Sequence, residues 1–235
     1  MRFTKQEFKW IIFGLAIKFL LFCYLLLIFH LNYSNKQIVN EIFVFSKDYQ
    51  NYVIPIENLI NKGSLYQMIG DYKAYAYKMP SFLFSYGPLY YFFGREIALA
   101  GIVIFNLLLD FGIIIFTALL SKEIFNDSTI LKLTLILVAL NGFISFNNYY
   151  ALTETPSAFC VVSSLYFFLK GINSNKYFLL LSGFILTWGI FLKPVLGLLI
   201  PLFILIGFFV YGKQLKKKFY RSEEHTSELQ SPDHL

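Results

Sequence analysis

Long apolar segments alternate with short polar segments along most of this chain. An α-helix needs roughly 20 consecutive apolar residues to cross a bilayer, and several segments approach that length. We therefore predict about six membrane-spanning helices. They are Trp10–His30, Ile97–Leu120, Thr129–Phe146, Thr153–Leu169, Tyr177–Leu192 and Val195–Tyr211.

The composition agrees with this pattern and sets the fold class. Apolar residues make up 57% of the chain and charged residues only 14%, whereas soluble domains carry about 25% charged residues. We predict an all-α fold, a polytopic bundle of membrane helices. Both cysteines, Cys23 and Cys160, lie inside predicted spans, so we interpret them as small apolar side chains and not as a disulfide or a metal pair.

The distribution of basic residues predicts the orientation of the bundle. Short loops rich in lysine and arginine stay in the cytoplasm. Basic residues precede the first span, and Lys122, Lys170 and Lys176 fall in loops that six crossings place on the same side. The N-terminus is therefore predicted to be cytoplasmic, and residues 31–96 form a large extracytoplasmic loop. This topology and anionic lipid account for the net charge of +6, and no nucleic-acid-binding motif accompanies it.

The last segment, "RSEEHTSELQSPDHL" from Arg221, is polar and has no periodicity. Reverse-translated with permitted codons, it matches the start of a widely used sequencing adaptor, so we expect residues 221–235 to be a non-native tail. The alternative is a disordered cytoplasmic tail. On the first interpretation, residues 1–220 are the N-terminal part of a larger transmembrane domain and are inactive on their own.

The large loop carries a second periodic pattern. Between Ser46 and Gly63, apolar and aromatic residues recur at three- and four-residue steps, with polar residues on the other face. This predicts an amphipathic helix lying at the membrane surface, bent or interrupted at Pro55. Asp48 falls in its first turn, where free backbone N–H groups favour a negative charge. Asp48 is therefore either a helix-start residue or a functional carboxylate.

An aromatic segment, "AYAYKMPSFLFSYGPLYYFFG", follows in the same loop. Its tyrosines and phenylalanines are typical of the membrane interface. Pro80, Gly87 and Pro88 predict that it forms short pieces rather than one span. An aromatic belt explains most of these residues but not Lys78.

The order of these features resembles the N-terminal half of the polytopic GT-C glycosyltransferases, the protein O-mannosyltransferases and aminoarabinose transferases that use polyprenyl-phosphate sugars. The resemblance covers nearly all of residues 8–212. A lone Asp48 stands where some family members carry paired acidic residues. The motifs that carry the resemblance are "KDYQNY", "NKGSLY", "YKMPSF", "YYFFG", "ALTETP" and "FLKPVLGLLIPL".

The resemblance implies a reaction and a role for each candidate residue. A sugar moves from a polyprenyl-phosphate carrier to a hydroxyl of a lipid, glycan or protein acceptor. Asp48 matches the family's catalytic aspartate, which would act as the general base. Lys78, Lys193 and Arg95 would bind the donor phosphate, and Glu154 matches a site acid at the start of the fourth span. We expect a multi-pass protein of the prokaryotic cytoplasmic membrane.

Three of these residues also have a purely structural interpretation. Lys193 can extend to the headgroups from a helix end, and Arg95 can simply flank the second span. Glu154 lies at a predicted helix N-terminus, which favours acidic residues in any case. Metal dependence varies across the superfamily, but no cluster of carboxylates or histidines supports a divalent metal here, so we expect no metal site or other cofactor.

A membrane transporter or flippase and a surface-polysaccharide polymerase or ligase are alternative functions. The evidence for a transporter is Lys18 and Asp110, two ionisable residues inside predicted spans. We predict instead that they pair with each other, with a further hydrogen bond from Asn106. The alternative is that Lys18 reaches the cytoplasmic headgroups and Asp110 is protonated.

Overall fold

A computed structural model of the protein describes residues 3–38, 43, 56, 80–150 and 152–209. Every regular element in these ranges is a helix, which confirms the predicted all-α fold. The helices are α1 (Lys5–Asn32), α2 (Asn35–Gln37), α3 (Pro80–Phe125), α4 (Ser128–Ala139), α5 (Gly142–Asn147), α6 (Glu154–Asn173), α7 (Tyr177–Leu192) and α8 (Pro194–Phe209), the last beginning as a 3₁₀ helix over Pro194–Leu198.

Three of these helices are long and apolar enough to cross a membrane. They are α1, the part of α3 from Ser85 to Phe125, and α6. At 1.5 Å per residue, the 20 residues of α6 cover about 30 Å, the thickness of a hydrocarbon core. The apolar helices α4, α7 and α8 are shorter. The predicted surface helix lies outside the described residues.

The break in α3 lies at Gly94. The sequence predicts short pieces around Gly87 and Pro88, but the helix continues through both residues. It is interrupted at Gly94, whose φ of 73° and ψ of 173° are accessible to glycine at little cost. A proline inside a membrane helix is tolerated where neighbouring groups satisfy the freed carbonyl. Residues 80–93 and 95–125 are therefore two helical segments joined at a glycine.

The third crossing is also interrupted, which corrects the prediction of one continuous span over Thr129–Phe146. Helix α4 ends at Ala139 and α5 begins at Gly142. The side chain of Asn141 caps α5 by accepting a hydrogen bond from the N–H of Phe143 at 3.2 Å. An asparagine side chain competes with the helix for backbone donors, so the chain turns here.

The buried apolar residues form two clusters. One lies around the first half of α1 and contains Ile11, Ile114, Ala118, Leu131, Leu135 and Ala139. The other lies near the N-terminus of α6 and includes Phe29, Tyr86, Tyr90, Leu99, Ile102, Tyr149, Cys160 and Leu192. Phe43 and Ile56 of the large loop are buried in this second cluster. Burial of Ile56 agrees with its predicted place on the apolar face.

Two glycines let α3 and α7 approach α6 closely. A Cβ added at Gly112 would lie 2.6 Å from Cε2 of the Phe159 ring. A Cβ added at Gly189 would lie 2.8 Å from Cβ of Cys160. Both distances are too short for two carbon atoms, so only glycine fits at these two crossings. The close approach at Gly189 brings the C-terminal end of α7 towards the beginning of α6.

Candidate functional site

An ion pair joins the beginning of α6 to the end of α7. Nζ of Lys193 donates a hydrogen bond to Oε1 of Glu154 at 3.2 Å. Glu154 is the first residue of α6, and Lys193 follows the last residue of α7. Their side chains are 30% and 40% exposed, so both can reach a ligand. The sequence marks both residues as candidates, and the structure brings them into contact.

The backbone around Lys193 explains why its side chain lies here. A residue before proline is excluded from the helical region by the proline ring, and Lys193 is extended, with φ −146° and ψ 98°, before Pro194. Its N–H still bonds to the carbonyl of Gly189 at 2.8 Å. Helix α7 therefore ends at a fixed residue, one turn after its close contact with α6.

Three polar atoms near the N-terminus of α6 have no hydrogen-bond partner among the described residues. They are Oγ1 of Thr153, Oε2 of Glu154 and Oγ of Ser157. Thr153 and Ser157 are almost fully buried and lie one turn apart, on one face of the helix. Buried polar groups in folded proteins normally have a partner.

An apolar cleft of about 270 Å³ opens beside the ion pair, between α3, α6 and α7. Two of its lining residues, Pro156 and Leu192, lie within two residues of Glu154 and Lys193 in the sequence. An apolar chain would fit this cleft with a charged group at the ion pair. The lining residues are Ser85, Phe105, Leu109, Pro156, Phe159, Cys160, Phe184, Ile185, Trp188 and Leu192.

Lys18 and Asp110 form the predicted ion pair in the interior of the bundle. Nζ of Lys18 lies 3.2 Å from Oδ1 of Asp110, and both side chains are fully buried. This confirms the prediction that the two residues are partners. Neither residue lines the cleft. Since each charge is neutralised by the other, the two residues no longer favour a transport path.

The predicted role of Asn106 as a further partner of this pair is wrong. Its side-chain oxygen accepts from the hydroxyl of Tyr86 at 2.8 Å, and its amide donates to the carbonyl of Tyr150 at 3.2 Å. The hydrogen bonds to Asp110 come instead from Ser145 and Asn148. Asn106 faces the loop before α6, and the carbonyls of Asn148 and Tyr150 in that loop accept from its amide.

The remaining candidates are not part of the Glu154–Lys193 pair. Arg95 is exposed on the first turn after Gly94. Asp48 and Lys78 lie outside the described residues. In the described part of the chain, no three His, Cys, Asp or Glu residues form a group that could hold a metal ion.

Sequence reasoning missed the hydroxyl groups of Thr153 and Ser157 and the hydrogen bond from Asn148 to Asp110. All three residues lie in "NNYYALTETPS", which covers the connection between the third and fourth predicted spans and the beginning of the fourth. Such a stretch resembles an ordinary interhelical loop, because its hydroxyl and amide groups could equally face water.

Comparison with known proteins identifies the family. The model of the dolichyl-phosphate-mannose-protein mannosyltransferase family matches residues 88–226, more than half of the chain. The match includes Arg95, Glu154 and Lys193 and begins after Asp48 and Lys78. It ends inside residues 221–235. No curated protein and no solved structure gives a match.

Proposed function

Since the chain belongs to the dolichyl-phosphate-mannose-protein mannosyltransferase family, we propose that it transfers a sugar from a polyprenyl-phosphate carrier to an acceptor hydroxyl. Membership in this family makes it an integral membrane glycosyltransferase of the GT-C type. The acceptor is a lipid, a glycan or a protein, and the reaction takes place at the extracytoplasmic face. The observation that carries the proposal is the Glu154–Lys193 ion pair at the edge of an apolar cleft.

The donor has two parts, and the described site has a feature that suits each. The isoprenoid chain is apolar and suits the cleft lined by Phe159, Trp188 and Leu192. The phosphate is anionic and suits Lys193, whose ammonium carries three N–H donors and whose side chain is 40% exposed. We assign Arg95 and Lys78 as further phosphate ligands, because a leaving phosphate needs cations near the headgroup level.

The sugar itself suits the beginning of α6. Its hydroxyls can donate to Oε2 of Glu154 once this carboxylate turns outward, because Oε2 is buried and unpaired in the structure. The unpaired hydroxyls of Thr153 and Ser157 lie on the same turn of the helix. Glu154 would then hold the sugar while Lys193 holds the phosphate beside it. The ion pair between them fixes the distance between the two ligand groups.

Asp48 is the proposed general base. The acceptor oxygen attacks the anomeric carbon, its proton passes to the Asp48 carboxylate, and the bond from the anomeric carbon to the phosphate oxygen breaks. The lipid phosphate leaves with the bonding electrons. Phe43 and Ile56, which flank Asp48 in the sequence, are buried in the cluster that contains Leu192, the neighbour of Lys193. The burial of these two residues supports the proposal that the loop lies close to the donor site.

The test is an isosteric substitution at the base. Full-length Asp48→Asn protein in lipid vesicles should transfer labelled mannose from a polyprenyl-phosphate donor about 100-fold or more slowly than wild type, because it cannot accept the proton. Asp71→Asn, the same change elsewhere in the same loop, is the matched control and should keep wild-type activity. Wild-type turnover by Asp48→Asn would remove Asp48 from the mechanism. Movement of the intact donor across the membrane without release of polyprenyl phosphate would identify a flippase instead.

A further inference from the structure

We infer that a buried polar network, formed by Lys18, Asp110, Ser145, Asn148 and Thr155, is a positioning device that holds the N-terminus of α6 in place. The inference rests on the proposed function in one respect, that the beginning of α6 binds the donor. None of the five residues lines the cleft. They act on the site through the backbone that carries Glu154.

The ammonium of Lys18 contacts three different groups, two of them through hydrogen bonds and Asp110 through the ion pair. Its Nζ lies 3.2 Å from Oδ1 of Asp110, 2.9 Å from Oγ of Ser145 and 3.0 Å from the carbonyl oxygen of Asn141. These partners belong to α3, α5 and the break between α4 and α5. One side chain of α1 therefore joins three other parts of the bundle.

The contact with Asn141 lies at the break between α4 and α5. Asn141 follows the end of α4 and is the N-cap of α5. Water does not reach a carbonyl at this depth in a bilayer, so a side-chain donor is favourable there. The Lys18 ammonium donates to the carbonyl of Asn141 and thereby ties α1 to the break.

Asp110 receives hydrogen bonds from the segment that follows the break. Its Oδ2 accepts from Oγ of Ser145 and from Nδ2 of Asn148, each at 3.0 Å. Ser145 thus accepts from Lys18 and donates to Asp110, which closes a ring of three residues. The ring holds α5 between α1 and α3.

Asn148 transmits this constraint to α6. While its Nδ2 donates to Asp110, its Oδ1 accepts from Oγ1 of Thr155 at 2.9 Å. Thr155 follows Glu154 directly and is buried. The side chain of Asn148 is therefore the connection between the ion pair in the interior and the first turn of α6.

Asn106 and Tyr149 make further contacts that support the loop leading into α6. The amide of Asn106 donates to the carbonyl oxygens of Asn148 and Tyr150 at 3.4 and 3.2 Å. The hydroxyl of Tyr149 donates to the carbonyl oxygen of Phe22 in α1, and the two rings stack with centroids 4.9 Å apart. The loop that leads into α6 is thus held from both α1 and α3.

The experiment measures two quantities separately: the position of the N-terminus of α6 relative to the end of α7, and the transfer activity. In a background in which Cys23 and Cys160 are replaced by alanine, the substitutions E154C and K193C introduce two thiols that a short bismaleimide can link. Thr155→Val removes only the hydroxyl, which bonds to Oδ1 of Asn148 at 2.9 Å and more weakly to the carbonyl oxygen of Ile144 at 3.5 Å. We expect it to lower the rate of cross-linking about tenfold, and Thr155→Ser, which keeps the hydroxyl, to restore it. Thr134→Val, which removes a hydroxyl bonded only to its own helix, is the matched control.

The activity measurement uses the same substitutions in the full-length protein with the native cysteines, Glu154 and Lys193. Thr155→Val should raise the donor KM about tenfold and also lower the melting temperature, because Oδ1 of the buried Asn148 loses its donor, and Thr155→Ser should restore both. The inference is overturned by cross-linking of the Thr155→Val protein at the control rate, whatever the activity. If cross-linking falls while Glu154→Gln leaves transfer unchanged, positioning is supported and the donor role of Glu154 is what fails.

Discussion

Nζ of Lys122 donates a hydrogen bond of 2.6 Å to Oε1 of Glu7, and only 13% and 2% of the two side chains are exposed. The contact ties the first turn of α1 to the last turn of α3. Glu7 also completes a capping box with Thr4. The same carboxylate therefore caps the N-terminus of α1 and binds α1 to α3. Lys122 is one of the basic residues that predict the cytoplasmic side, and it lies at the same end of the bundle as the N-terminus.

The Glu7–Lys122 contact should contribute to stability. Replacing both residues in a double-mutant cycle, Glu7→Gln and Lys122→Met, should give a coupling energy of about 1 kcal/mol, because the pair is largely shielded from water. The measurement is thermal unfolding of the purified protein in detergent, with the two single variants as internal controls. Strictly additive effects would show that the contact contributes nothing.

Lys193 should contribute to donor binding through its charge. Lys193→Met keeps the length of the side chain but cannot donate to a phosphate. Loss of a charge-assisted hydrogen bond costs about 1.5–3 kcal/mol, so the KM for the donor should rise roughly tenfold to a hundredfold. The measurement is initial transfer rate against donor concentration. Lys176→Met, at the opposite end of α7, should leave this KM unchanged, and an equal rise in both variants would indicate a general effect of membrane charge.

The apolar cleft should discriminate between donors by chain length. Leu109→Trp places a larger side chain on the cleft wall, so a long polyprenyl donor should lose more activity than a donor with a chain of two isoprene units. Leu108→Trp, the neighbouring residue on the exposed face of α3, is the matched control. The measurement is the ratio of kcat/KM for the two donors. An unchanged ratio in Leu109→Trp would mean that the carrier chain binds elsewhere.

Gly94 should be sensitive to replacement for conformational reasons alone. An added Cβ would meet nothing within 4 Å, but the φ of 73° is strained for any L-residue. Gly94→Ala should therefore destabilise the protein by about 1–3 kcal/mol. Gly142→Ala has equally open surroundings and an ordinary φ, so it should have little effect. Thermal unfolding of the two variants checks the difference, and equal melting temperatures would argue against strain at Gly94.

Hydrophobicity and depth in the membrane were enough to predict much of the fold. Helix α7 has the bounds predicted for the fifth span, because the apolar segment ends at Lys193 and Pro194. Lys18 and Asp110 could be paired from sequence since both are charged and lie at similar depth in consecutive spans. Neither inference required knowledge of side-chain packing.

The break in the third crossing and the partners of Asn106 could not be predicted in this way. The dipeptide Asn141-Gly142 favours a turn. Because apolar residues lie on both sides of it, the sequence pattern still predicted one continuous span. The partners of Asn106 depend on which face of α3 meets the loop before α6, and this contact joins residues 42 and 44 positions apart in the sequence. One-dimensional periodicity contains no information about such a contact between distant segments.

The interruption at Asn141 also has a consequence for how the protein enters the membrane. Helix α4 has 12 residues, which cover about 18 Å, too short to span a hydrocarbon core by itself. The carbonyl of Asn141, just after α4, receives its hydrogen bond from Lys18 of α1, which is synthesised earlier. We therefore expect the third crossing to insert cooperatively with the first helix, which is by then already in the bilayer.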